Sequence, residues 1–177
     1  MSRFAKHIAG APGRFFTAIA TLGPLGTRMP APGTWGTGAG LLLYSVFLAR
    51  FNNAGNWPIF VGISVALLLF AVAVCWIGEL QMGRKDPGEI ILDELVAMPL
   101  VFTGAESFLS GTGHYSWGWT LIGFVLFRIF DVAKPFGIKK LQAWRGGLGI
   151  VADDVAAAAA ACISLHALHL LSLLLPA

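Results

Sequence analysis

The sequence predicts an all-α fold: a polytopic membrane helix bundle of about five membrane-embedded helices, some short or re-entrant. Three observations carry this. Hydrophobic residues make up 56% of the 177 positions and charged residues only 12%, with a mean hydropathy of +0.75, well outside the range of soluble domains. The apolar residues gather in long runs, and a backbone in hydrocarbon must satisfy its own hydrogen bonds, which favours helices. The few carboxylates are clustered: seven of nine fall in three short segments. Residues 1–177 are expected to form one domain.

The strongest span, Trp57–Ile77, is uncharged and about the 20 residues needed to cross a bilayer. A second, Val155–Leu175, opens alanine-rich and closes in leucines. Gly38–Ala49, Leu95–Leu109 (interrupted by Glu106) and Trp117–Phe127 are shorter. The basic N-terminus (Arg3, Lys6, Arg14) is followed by a stretch broken at Gly23, Pro24 and Gly26. With no long apolar region there, an interfacial segment around Phe15–Leu25 is expected rather than a cleaved signal. Cys75 and Cys162 both fall in apolar spans without metal-binding or disulfide spacing.

A net charge of +3 does not require a nucleic-acid partner. With the N-terminus in the cytoplasm and five spans threaded, every Lys and Arg except Arg50 falls on the inner side, as the positive-inside rule expects. All three acid groups fall on that side too. Carboxylates beside lipid cost roughly 2.5–3.5 kcal/mol each, so a cluster of them calls for a task.

The densest segment is Arg84–Glu94. Pro87 suits a first helical turn and Asp86 its N-cap. A helix from there would put Glu89 and Asp93 on one face with Asp86 above them, and Glu94 about 100° away. Like charges so placed repel unless a cation intervenes, and magnesium takes hard oxygen ligands. Acids in a first turn are also favoured by the helix dipole alone. In Phe127–Phe136, Arg128, Asp131 and Lys134 recur at three-residue spacing on one helical face that Pro135 ends. That pattern serves an interfacial salt bridge or a phosphate site equally. Gly146–Asp154 places adjacent Asp153 and Asp154 at an expected helix start, where they would reach different neighbours, or where Asp153 would simply cap. Pro30–Gly38 reads as a Gly/Thr loop at a helix N-terminus, suited to a phosphate oxygen through Thr34 and Thr37, or to capping by Thr34. It is not a Walker loop. His7, His114, His166 and His169 lie away from the acids, so none is expected as general base.

Together and in this order, PAPGTWGT (Pro30–Thr37), DPGEIILDE (Asp86–Glu94), FRIFDVAKPF (Phe127–Phe136) and GGLGIVADD (Gly146–Asp154) resemble the phosphatidylglycerophosphatase A family of bacterial inner-membrane lipid phosphatases. One departure is Gly137, where a second proline is common. The resemblance implies Mg²⁺-dependent hydrolysis of phosphatidylglycerophosphate, a phospholipid substrate in the cytoplasmic leaflet, to phosphatidylglycerol and phosphate. It carries the family's acidic positions onto Glu89, Asp93, Glu94, Asp131, Asp153 and Asp154, with Lys134 as basic partner. Metal ligation is expected from these acids, catalysis from Asp93, Glu94, Asp131, Lys134, Asp153 and Asp154, and phosphate binding from Thr34, Thr37, Arg128 and Lys134. The expected location is the bacterial inner membrane, multi-pass, with the site facing the cytoplasm. Signatures of other phosphatases (DxDx, Cys-x5-Arg, Ser-Gly-His) and of CDP-alcohol phosphotransferases are absent. An ion-coupled transporter would spread its acids through the bundle's depth, and a phosphatase acting on another lipid phosphate would share the same motifs.

Overall fold

The computed structural model describes residues 11–110, 116–135 and 137–174. His7, His114, Phe136 and most of the Ser110–Ser116 loop lie outside them. All regular structure in the described residues is helical. In chain order the helices are α1 (Ala11–Ala20), α2 (Pro24–Arg28), α3 (Pro32–Leu43), α4 (Trp57–Met82), α5 (Leu92–Ala97), α6 (Glu106–Leu109), α7 (Trp117–Ala133) and α8 (Gly147–Leu174). A π turn (Tyr44–Leu48) and a 3-10 turn (Ala49–Phe51) prolong α3, while 3-10 segments Met98–Phe102 and Ile138–Ala143 follow α5 and α7.

Two helices, α4 (26 residues) and α8 (28 residues), are long and apolar enough to cross a membrane. At 1.5 Å per residue each reaches about 40 Å. α4 contains the expected Trp57–Ile77 run and ends where Gly83 adopts φ +66°, its N–H donating to Glu79 C=O at 3.0 Å. α7, at 17 residues, ends at Lys134, whose N–H donates to Phe130 C=O at 2.8 Å just before Pro135 bars continuation. The expected Leu95–Leu109 span is broken into α5, a 3-10 segment and α6.

α4 and α8 pack against each other, α7 against α8, α1 against α4, and α3 against α5. One core cluster joins Tyr44, Phe60, Phe102, Phe127 and Leu165, and a second joins Ala71, Val74, Ile90, Val96 and Ile150. The outward faces are apolar as well: Leu69 (67%), Leu121 (62%) and Ile163 (72%) are exposed. A water-soluble surface would not carry so continuous an apolar coat, whereas lipid accepts it. The two long apolar helices and this coat are those of a membrane protein.

Three local expectations fail. No helix starts at Pro87: residues 86–91 form a turn, with Ile90 N–H donating to Pro87 C=O (2.9 Å) and Ile91 N–H to Ala20 C=O (3.0 Å). Ile90, Ile91 and Leu92 are all buried, and three successive residues cannot share one helical face. The chain therefore runs irregularly until Leu92. Asp86 accordingly does not cap; it has φ +48°, and its carboxylate accepts a hydrogen bond from Gln142 Nε2 at 2.8 Å. Second, α8 begins at Gly147 rather than at Asp153. A Cβ on Gly147 would strike the α4 backbone at Val72 and Trp76, so this glycine permits contact between the two long helices. Third, Pro32–Gly38 is helix rather than loop.

Candidate active site

The glycines of α3 build one wall. Gly33, Gly36 and Gly40 share a face, and α5 lies so close to it that a Cβ would overlap Glu94 at Gly33 and Gly36 and the Leu95 backbone at Gly40. A mid-helix glycine costs about 1 kcal/mol relative to alanine, and here the contact with α5 offsets it. Thr37 belongs to the same wall: its hydroxyl donates to Gly33 C=O (2.8 Å) and accepts from Arg128 Nη1 (3.3 Å). Thr34 is exposed.

α7 supplies the cations and one acid. Arg128 Nη1 donates to Asp131 Oδ2 at 2.6 Å and to Glu94 Oε1 at 3.1 Å. Lys134 donates to Asp153 Oδ2 and stands 3.9 Å from Asp131 Oδ1. The αL turn at Lys134 (φ +43°) is where α7 stops, so the residue that ends the helix also presents its ammonium to α8. α8 contributes Asp153 and Asp154 from its second turn, and both are buried. Asp93, in the first turn of α5, is buried beside them. Asp154 lies within electrostatic reach of Asp93, Asp131, Glu94 and Asp153.

Five carboxylates from three helices thus meet two cations. Four of the acids each keep one buried oxygen without a hydrogen-bond partner: Asp93 Oδ1, Glu94 Oε2, Asp153 Oδ1 and Asp154 Oδ2. Buried polar atoms are nearly always paired, and uncompensated negative charge in a low-dielectric site costs several kcal/mol. Burial, then the charge of Asp131, pushes Glu94 up to about 7 against the pull of Arg128. Burial, then Glu94, raises Asp93. Burial would lower Lys134, but its hydrogen bond to Asp153 and the acids around it raise the ammonium overall.

The donor chemistry suits a hard cation. Among the described residues no three His, Cys, Asp or Glu side chains stand ready-grouped around one point. Magnesium does not need such a cage, since it commonly takes one or two carboxylates and completes its shell with water and phosphate oxygens. The orphaned oxygens are of the right kind for that.

Glu89 is not brought into this group. It pairs with Arg84 at 2.7 Å, the two side chains being 35% and 60% exposed, and that hydrogen bond holds its carboxyl below the usual range. Glu89 and Asp93 do not share a helical face, because the helix starts between them. Sequence reasoning missed Glu79, whose Oε1 accepts the Asp86 N–H at 3.1 Å and so ties the acidic turn to the end of α4. It also missed the part played by Gly33 and Gly36. Their spacing with Gly40, three residues and then four, was the available signal of one helical face.

The family model for Phosphatidylglycerophosphatase A matches residues 18–169. The chain belongs to the phosphatidylglycerophosphatase A family. A Haemophilus influenzae protein named Phosphatidylglycerophosphatase A is 36% identical over 141 residues, covering 79% of this chain and 80% of that one. An Escherichia coli protein of the same name is 29% identical over 127 residues, 71% and 67% of the two chains. A Bacteroides thetaiotaomicron protein with the provisional name phosphatidylinositol-3-phosphatase is 32% identical over 131 residues, 72% and 76% of the two. No solved structure matches the chain. The matched range, residues 18–169, includes all five acids of the carboxylate cluster together with Arg128 and Lys134.

Proposed function

We propose that this chain is a Mg²⁺-dependent lipid phosphatase that hydrolyses the terminal phosphate monoester of phosphatidylglycerophosphate, giving phosphatidylglycerol and inorganic phosphate. The observation that carries the reading is the set of four orphaned carboxylate oxygens beside Arg128 and Lys134. Family membership supports the reaction class.

Asp93, Glu94, Asp131 and one of Asp153 and Asp154 would hold the metal. When bound, Mg²⁺ would disperse the phosphoryl group's charge and orient it for in-line attack. The protein's own cations complete the charge balance. Lys134 reaches the cluster from the end of α7 and is the better placed of the two to meet a phosphoryl oxygen, since Arg128 is already shared by Glu94, Asp131 and Thr37. Arg128 and Thr37 would then hold Glu94 and Asp131 in position. Water supplies the oxygen that ends in phosphate, and the glyceryl oxygen leaves with a proton. The attacking group is either that water or an aspartate. Single-turnover reaction in ¹⁸O-water, coupled to phosphoenzyme trapping, separates the two.

The multi-pass arrangement follows the charge distribution, with α3, α7 and the broken Leu95–Leu109 segment embedded beside the spans α4 and α8. The acid end then faces the cytoplasm at headgroup depth in the inner membrane. Acyl chains of the substrate can stay in that leaflet while its phosphate meets the site. The test is phosphate release by the purified protein from a panel of phospholipid monoesters, with and without Mg²⁺. The expected result is Mg²⁺-dependent release, fastest from phosphatidylglycerophosphate. A second reading, a different lipid phosphate, is favoured by the name of the Bacteroides relative; faster release from phosphatidylinositol 3-phosphate would select it. Absence of release from every lipid overturns both.

A further inference from the structure

On the side of α8 turned away from the carboxylates lies a second feature that phosphate chemistry does not use. A cavity of about 420 Å³ is lined by Arg84, Lys85, Arg145, Trp144 and Glu79. Arg84 is engaged by Glu89 and Glu79 by the Asp86 N–H. Lys85 and Arg145 are exposed, and neither has an ion-pair partner among the described residues. Trp144 also lines a second cavity of about 370 Å³, walled by Val72 of α4 and by Leu148, Val151, Val155 and Ala156 of α8, and ending at Ala159. The shared tryptophan joins a basic mouth to an apolar trough.

At about 100° per residue, positions 148, 151, 155 and 159 fall on one face of α8. Asp153 and Asp154 project to the opposite side with buried Ile150, Ala157 and Ala161, so the trough is separate from the candidate active site. From Leu148 to Ala159 the trough runs about 16 Å, close to half of a hydrocarbon core roughly 30 Å thick. That is the depth of one acyl chain in one leaflet.

We propose that this groove between α4 and α8 binds an anionic phospholipid that is not undergoing hydrolysis, its headgroup phosphate at Lys85 and Arg145 and one acyl chain along the trough. Charge complementarity at the mouth selects the anionic headgroup, as basic pockets at cytoplasmic helix ends do. The apolar length below selects a lipid over a free phosphate. The inference rests on the membrane placement of α4 and α8 and is independent of the phosphatase assignment.

Native mass spectrometry of the full chain released from detergent tests it, with dioleoylphosphatidylglycerol and dioleoylphosphatidylcholine offered at equal concentration. The expected result is retention of the anionic lipid about tenfold over the zwitterionic one. The double substitution Lys85→Gln/Arg145→Gln should abolish that preference, and Ala156→Phe, which fills the trough without changing charge, should lower retention of both lipids. Equal retention of the two lipids by the unsubstituted protein overturns the proposal, whether or not either variant folds. So does a preference that survives in both variants, or one that millimolar glycerol phosphate removes. Because the readout is binding alone, a protein that retains the lipid but releases no phosphate would sink the phosphatase reading and leave this one standing.

Discussion

The two ends of the bundle bury polar groups in opposite ways. At one end Asn52, only 2% exposed, donates to the Tyr44 hydroxyl (3.0 Å) and to Phe102 C=O, and accepts the Gly104 N–H at 3.2 Å. That amide ties the turn before α4 to the segment after α5 and is satisfied on both its oxygen and its nitrogen. Nearby, His169 stacks on Phe108 at 4.2 Å between ring centres, and His166 Nδ1 lies 3.0 Å from Cys162 C=O. At the other end four carboxylates keep unpartnered buried oxygens. Outside that cluster the described residues leave only Ser64 Oγ and His169 Nδ1 so. Neutral and, Ser64 Oγ and His169 Nδ1 aside, paired, the first end stabilises the fold. Charged and under-paired, the second is held in place by the fold against its own repulsion, which is how sites kept for a ligand differ from sites kept for structure.

The sharpest way to break this comparison is to neutralise one acid. Asp93→Asn or Asp154→Asn should cut Mg²⁺-dependent phosphate release by on the order of 10³-fold. The melting temperature should stay or rise, because a repelling charge is removed. Full activity in either variant would dissolve the site. Next in size is Gly36→Ala. Its methyl would displace Glu94 and the Ile91 backbone, and activity should fall about 10–100-fold, the range seen when residues that orient ligands are disturbed. A Glu94→Gln/Gly36→Ala double variant no worse than Glu94→Gln alone would show that the glycine acts through Glu94.

At the opposite end the pattern should invert. Asn52→Ala leaves Phe102 C=O and Gly104 N–H without their partner and should cost about 2–3 kcal/mol in denaturant unfolding, while activity per folded molecule is kept. Smallest is Glu89→Gln, which removes an exposed ion pair and should change stability by less than about 0.5 kcal/mol and leave phosphate release unaltered. A large loss of activity there would return Glu89 to the metal site.

The chemistry of this molecule was more legible than its local geometry. Uncharged runs announce α4 and α8 because a lipid-facing helix has little choice of composition, and the grouping of Asp93, Glu94, Asp131, Asp153 and Asp154 is visible as a scarcity of acids elsewhere. The turn at 86–91 was not legible. Pro87 and Asp86 favour a helix start locally, but burying Ile90, Ile91 and Leu92 together overrides them. That override separates Glu89 from Asp93. The helical start at Pro32 was hidden for the converse reason, since glycines that resemble a loop serve a helix–helix contact. Glu79 gave no signal because its partner is a backbone N–H seven residues on.

The central claim, that the under-paired acids are kept for a cation, is tested most directly by melting the metal-stripped protein with and without Mg²⁺ at two pH values. Glu94 is raised from 4.5 to about 7, so the folded state holds a proton that the unfolded state has lost. Without metal, stability should therefore fall as pH rises from about 4.5 through 7. Mg²⁺ should restore it most at pH 8, where it no longer competes with that proton, by about 2.7 kcal/mol once it exceeds its dissociation constant a hundredfold. Asp93→Asn should lose most of this gain. A protein whose melting is indifferent to Mg²⁺ at pH 8, or in which Asp93→Asn gains as much as the unsubstituted chain, would contradict the account.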